Sequence, residues 1–215
     1  MKILDEVIDG ILASLIDMFD RTIEAHKNAI KSLIEGDNKK ALLVLENDEF
    51  INQLEEQINY DVMIAIAKYQ PVASDLRRLI AIIKVANDLE RIADYAKTIA
   101  KTAILNSDQT FLSELFLKNS LKMSNIVVDL LKQSKQAFIE QDVDYAYDII
   151  QKETEINKLL KETIASNPFS LIKDDNVESY MLLMGVLRTL ERARGHLANI
   201  CEATIFVGNG EFIEL

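Results

Sequence analysis

One block of this chain occurs twice, and that repetition constrains the fold more than any other feature. Asp37, Ala41, Val44 and Leu45 match Asp142, Ala146, Ile149 and Ile150 at an offset of 105 residues. At the same offset, Asp48, Ile51, Asn52 and Leu54 match Glu153, Ile156, Asn157 and Leu159. Leu89-Glu90-Arg91 then returns as Leu190-Glu191-Arg192 at an offset of 101, so the second copy is four residues shorter around one turn. Repetition in this order predicts one structural unit present twice through an internal duplication.

Each copy reads as three helices. Leu4, Ile8, Ile11, Leu15 and Phe19 step by four and three, the spacing of one helix face, and Ile30 and Leu33 continue it. Gly36-Asp37 supplies a stop followed by an N-cap. A second helix carries Val44, Ile51, Leu54, Ile58 and Ala65 and stops before Pro71, which disfavours helix at Gln70. Ser74-Asp75 offers cap chemistry for a third helix from Leu76 towards Ile104. After Asn106-Ser107-Asp108 the plan repeats: a helix over about 110–140, Gln141-Asp142 in place of Gly36-Asp37, a helix to about Ala165, Pro168 in place of Pro71, and a last helix over about 177–207. Six glycines and two prolines in 215 residues leave little material for further turns. The expected fold is all-α: two similar three-helix bundles, over residues 1–106 and 107–215.

Charge and cysteine usage narrow the function. A net charge of −11, from 35 acids against 24 bases, repels nucleic acid and anionic lipid. The local pair Arg77-Arg78 stays available to a partner on this reading. A single cysteine, Cys201, rules out an intrachain disulfide framework, and its apolar neighbours suit a buried thiol. Acids at Asp5 and Glu6 interrupt the apolar run that a signal peptide would need, and no stretch of about 18 apolar residues is free of charge, so a cytoplasmic protein is expected.

The repeated helix pair also carries oxygen ligands. Glu90 and Asp94 share one helix face, Asp48 and Asn52 share another, and antiparallel pairing of the two helices brings all four together. Such a set suits Mg, Mn, Fe or Zn. The second copy offers Glu153, Asn157 and Glu191, but Gly195 stands where the second acid would be and Arg194 adds positive charge, so a cation there is held less well. The plainer reading places these acids on solvated faces, with Glu90 paired to Arg91 or Lys97. The sequence has no Glu-xx-His pair, Gly-rich phosphate loop or Cys-xx-Cys spacing. His26 falls on the apolar side of the first helix as a structural histidine, His196 joins no evident triad, and Met181-Leu182-Leu183-Met184 reads as core.

The stretch Gln70-Pro71-Val72-Ala73-Ser74-Asp75-Leu76-Arg77, with Ile82-Ile83-Lys84 and Leu89-Glu90-Arg91-Ile92-Ala93-Asp94, resembles the PhoU family of phosphate-transport regulators. Leu190-Glu191-Arg192, His196 and Asn199-Ile200-Cys201-Glu202 resemble that family's second motif, and the likeness covers nearly the whole chain. It implies six helices in two bundles, usually a homodimer, without enzymatic activity. The implied role is a negative regulator of the phosphate-starvation response and of phosphate uptake. It would couple the ATPase subunit of a phosphate ABC transporter to a membrane sensor histidine kinase. It also implies metal sites on Asp48, Asn52, Glu90 and Asp94, and on Glu153, Asn157 and Glu191; Asn52, Asn157 and Arg194-Gly195 depart from the family pattern. A helical scaffold without a phosphate role and a metal-dependent enzyme are the alternatives, the latter without an evident general base beyond the ligands.

Overall fold

The computed structural model describes residues 2–105, 114–151, 154–166 and 177–210. The protein is all-α: α1 (Lys2–Glu35), α2 (Asn38–Tyr69), α3 (Ala73–Leu105), α4 (Glu114–Glu140), α5 (Val143–Gln151), α6 (Thr154–Ser166) and α7 (Val177–Asn209). The single helix expected between Asp142 and Ala165 is described as two segments, α5 and α6, and residues 152 and 153 between them lie outside the described residues. The expected boundary between copies, at 106/107, also falls outside them.

Several of the apolar residues that match between copies fill the core. Ala41 and Ala146, Val44 and Ile149, Ile51 and Ile156, and Leu89 and Leu190 are all buried. The corresponding corners are built alike. Gly36 adopts φ +67, the Asp37 N–H donates to the Ser32 carbonyl (3.2 Å), and the Asp37 carboxylate accepts from the backbone N–H groups of Lys39 and Lys40. In the second copy, Gln141 adopts φ +54, the Asp142 N–H donates to the Ala137 carbonyl (2.9 Å), and the Asp142 carboxylate accepts from the Tyr145 N–H. At the other corner, Gln70 turns left-handed at φ 48 and ends α2 just before Pro71. Helix α3 starts at Ala73, earlier than expected, because Pro71 and Val72 complete the turn. Ser74 and Asp75 therefore lie inside its first turn, where the Asp75 carboxylate faces the positive end of the helix.

Helices α1, α2 and α3 pack on one another, and α4, α5 and α6 pack against α7. The copies meet chiefly where α3 lies on α7, and secondarily where α1 lies on α4. Contact with α1, α2 and α7 leaves α3 buried on several sides, whereas α2 buries a stripe and exposes Leu42, Phe50, Tyr60, Met63 and Ile64. One hydrophobic core runs through both copies. Cys201 is buried as expected, its thiol in contact with the Ser134 hydroxyl. Met181 departs from expectation: it points outward, and of its cluster Leu183 is the member that is buried. Arg77 and Arg78 are not free either. The Arg77 guanidinium lies against Gly210 at the C-terminal end of α7, and Arg78 reaches Asp9 at 3.9 Å. No described helix is long and apolar enough to cross a membrane.

Candidate functional site

Helices α2 and α3 run antiparallel. Asn59 donates to Asn87 (3.4 Å) around the middle of the pair, and Lys97 meets Asp48 further along, later on α3 and earlier on α2. This register brings Asp48, Glu55, Glu90 and Asp94 onto one seam. Asp48 is the buried member, with its side chain 6 % exposed. Lys97 Nζ lies 2.5 Å from its Oδ2 and 3.8 Å from Asp94 Oδ1, while Asp48 Oδ1 is buried without a hydrogen-bond partner among the described residues. Burial and the nearby Asp94 carboxylate push the Glu90 carboxyl above the ordinary range, helped by Glu55 and opposed by the Arg91 guanidinium 3.4 Å away. The hydrogen bond to Asp48 raises the Lys97 ammonium above its usual range. Asn52 is half-buried on the same helix.

Sequence reasoning paired Glu90 with Asp94 and offered Lys97 as a partner of Glu90, but it missed Glu55 and the turn of Lys97 across to Asp48. Glu55 lies seven residues after Asp48, and Lys97 seven after Glu90; two turns on the same face was the available signal. The second copy is described less fully. Glu153 lies outside the described residues, Asn157 and Glu191 are half-buried, and Glu191 borders a shallow groove with Arg192, Arg194 and Tyr95. Nothing lies within 4 Å of where a Cβ at Gly195 would be, so packing does not enforce the missing acid.

Among the described residues, no three His, Cys, Asp or Glu side chains are arranged to hold a metal ion. The orphaned Asp48 Oδ1 offers an acceptor, but the Lys97 ammonium lies between Asp48 and Asp94, where a shared cation would have to sit. The residues as arranged do not fit a metal.

A second polar cluster joins the copies, and the sequence did not reveal it. Asp88 and Tyr95 of α3 face His196 and Asn199 of α7. Nδ1 of His196 donates to Asp88 Oδ1 (2.8 Å), the same oxygen accepts from Asn199 (2.9 Å), and the Tyr95 hydroxyl lies 3.1 Å from His196 Nε2. His26 is fully buried in α1, where its Nε2 donates to the Ile92 carbonyl of α3 (2.8 Å). Burial lowers its pKa to about 4, and its Nδ1 has no partner among the described residues.

The fold and this seam define a duplicated helical protein with a buried, lysine-bridged acidic seam in its first copy. The PhoU domain family model matches residues 15–103 and 121–204, one match in each copy. The chain is 32 % identical over 190 residues to phosphate-specific transport system accessory protein PhoU homolog 1 of Thermotoga maritima, covering 87 % of this chain and 81 % of that one. It is 32 % identical over 215 residues to the PhoU homolog of Aquifex aeolicus, covering 100 % of this chain and 96 % of that one. The crystal structure of PhoU from Pseudomonas aeruginosa superposes with a TM-score of 0.89 at 27 % identity, covering 96 % of this chain and 99 % of that chain. The chain belongs to the PhoU domain family.

Proposed function

We propose that the protein is an accessory regulator of phosphate transport that represses the phosphate-starvation response and phosphate uptake. It acts as an adaptor between the ATPase subunit of a phosphate ABC transporter and a sensor histidine kinase, on the cytoplasmic side of the membrane and as a homodimer. The observation that carries this reading is the pair of PhoU domain matches, one per copy, together with relatives named as accessory proteins of the phosphate-specific transport system that align over most of their length. The described side chains agree with a binding role, since the strongest polar clusters close on themselves. Deleting the gene raises expression of phosphate-uptake genes in phosphate-rich medium on this reading, and the purified protein retains the transporter ATPase and the kinase in pull-downs. Unchanged reporter output with an intact transporter refutes the regulatory role; loss of both partners in the pull-down refutes the adaptor. Purified protein stays inert towards phosphoesters with Mg or Mn present, and turnover that Glu90→Gln abolishes would instead establish a metal-dependent enzyme.

A further inference from the structure

We propose that Lys97 is the resident cation of the first acidic seam, so that a divalent metal binds there only once the lysine is removed. The ammonium lies 2.5 Å from Asp48 Oδ2 and 3.8 Å from Asp94 Oδ1, bridging the two helices. A carboxylate as buried as Asp48 needs a cation or donors, and among the described residues Lys97 supplies the one hydrogen bond that this side chain has. A metal drawn to Asp48, Glu90 and Asp94 would have to share their oxygens with a fixed positive charge, and like charges at contact distance repel. Asp48 Oδ1 shows that the lysine does not fill the coordination capacity of the site: one buried acceptor is left over, without a hydrogen-bond partner among the described residues.

The duplication supplies an independent argument. At the offset of 101 that equates Glu90 with Glu191, Asp94 becomes Gly195 and Lys97 becomes Ala198. Asp94 and the lysine that approaches it at 3.8 Å are therefore absent together in the second copy, while the acid of Asp48 is kept there as Glu153. The inference does not rest on the regulatory reading, because it concerns cation occupancy in the purified protein.

The test is a Mn²⁺ titration of the full chain, with free Mn²⁺ read by electron paramagnetic resonance. The proteins are the wild type, Lys97→Met, Lys97→Arg and Lys97→Met combined with Glu90→Gln. Lys97→Met gains a site at least about tenfold tighter than any in the wild type, a difference of about 1.4 kcal/mol. Lys97→Arg keeps the cation and gains nothing, and adding Glu90→Gln removes the new site. The proposal is overturned if the wild type already binds Mn²⁺ through Glu90 as tightly as Lys97→Met does, or if folded Lys97→Met binds no better than the wild type. Should Lys97→Met fail to fold without metal, refolding with Mn²⁺ decides: recovery of helical circular dichroism supports the proposal, and no recovery overturns it.

Discussion

Replacing His26 with Gln removes a specific part of the acid sensitivity of the fold. His26 is fully buried, Nε2 donates to the Ile92 carbonyl, and Nδ1 meets no acceptor among the described residues. A proton on Nδ1 would create a buried cation with an unsatisfied N–H, so burial holds the pKa down at about 4 against an ordinary 6.5. A folded-state pKa below the unfolded one means that the unfolded chain binds the extra proton. The stability from this group is therefore complete above about pH 6.5 and lost as pH falls towards about 4. Linkage puts the loss at about 1.3 kcal/mol between about pH 7.5 and 5.5, and about 2.5 kcal/mol by about pH 4.5. The upper interval lies above the ordinary carboxylate range, and the difference between wild type and variant over it isolates this imidazole from groups that both proteins share. Gln keeps a donor for Ile92 and cannot titrate, so His26→Gln flattens the stability slope over that interval by that amount, measured by urea unfolding at both pH values. Equal slopes in wild type and variant would refute the reasoning, as would a His26 resonance that titrates near 6.5 in the folded protein.

Two glycines of α7 respond in opposite directions to the same change. At Gly195 a Cβ meets nothing within 4 Å, so Gly195→Ala raises stability by about 0.5–1 kcal/mol through helix propensity. At Gly208 a Cβ would lie 2.3 Å from Val143 Cγ2 on α5, so thermal melts of Gly208→Ala show a loss of about 1–2 kcal/mol. Ile51 is fully buried on the α2 stripe, and Ile51→Ala costs about 3–4 kcal/mol in denaturant unfolding with an unchanged slope. A double-mutant cycle of Asp88→Asn and His196→Gln gives a coupling of about 1 kcal/mol for the bond between copies, and additive effects would show that the contact contributes nothing.

What could be read from the sequence was whatever acts within one helix or within one repeat. The matched apolar residues reveal the core because burial preserves size and apolarity: Ala41 pairs with Ala146 and Ile51 with Ile156. The corners were readable because a left-handed residue followed by Asp is a local signal, whether the residue is Gly36 or Gln141. The site was readable only in part, because its decisive contact joins residues 49 apart in sequence. Whether Lys97 turns to Glu90 on its own helix or across to Asp48 depends on the register of α2 against α3, which periodicity alone does not give. The contact between Asp88 and His196 spans 108 residues and depends on the docking of one copy on the other. Met181 misled for the converse reason: four consecutive large apolar residues on a helix cannot all face one core, and the first of them faces out.

The seam between α3 and α7 also shows how far the copies have diverged. Tyr95 and His196 occupy equivalent positions, at the same offset of 101 that equates Glu90 with Glu191. Their rings meet with centroids 5.6 Å apart. Equivalent positions touch one another only near an axis that exchanges the copies, so this contact marks the pseudo-two-fold of the molecule. Strict symmetry would answer the bond from Asp88 to His196 with one from Thr189 to Tyr95. Instead the Thr189 hydroxyl donates to the Val186 carbonyl within its own helix (2.7 Å). One copy thus supplies the carboxylate and the other the imidazole, a pairing that neither copy can make with a duplicate of itself. The same asymmetry appears in the acidic seam, where Asp94 and Lys97 face Gly195 and Ala198 in the alignment. The two copies therefore differ at the seam they share, and its carboxylate–imidazole pair takes one member from each copy.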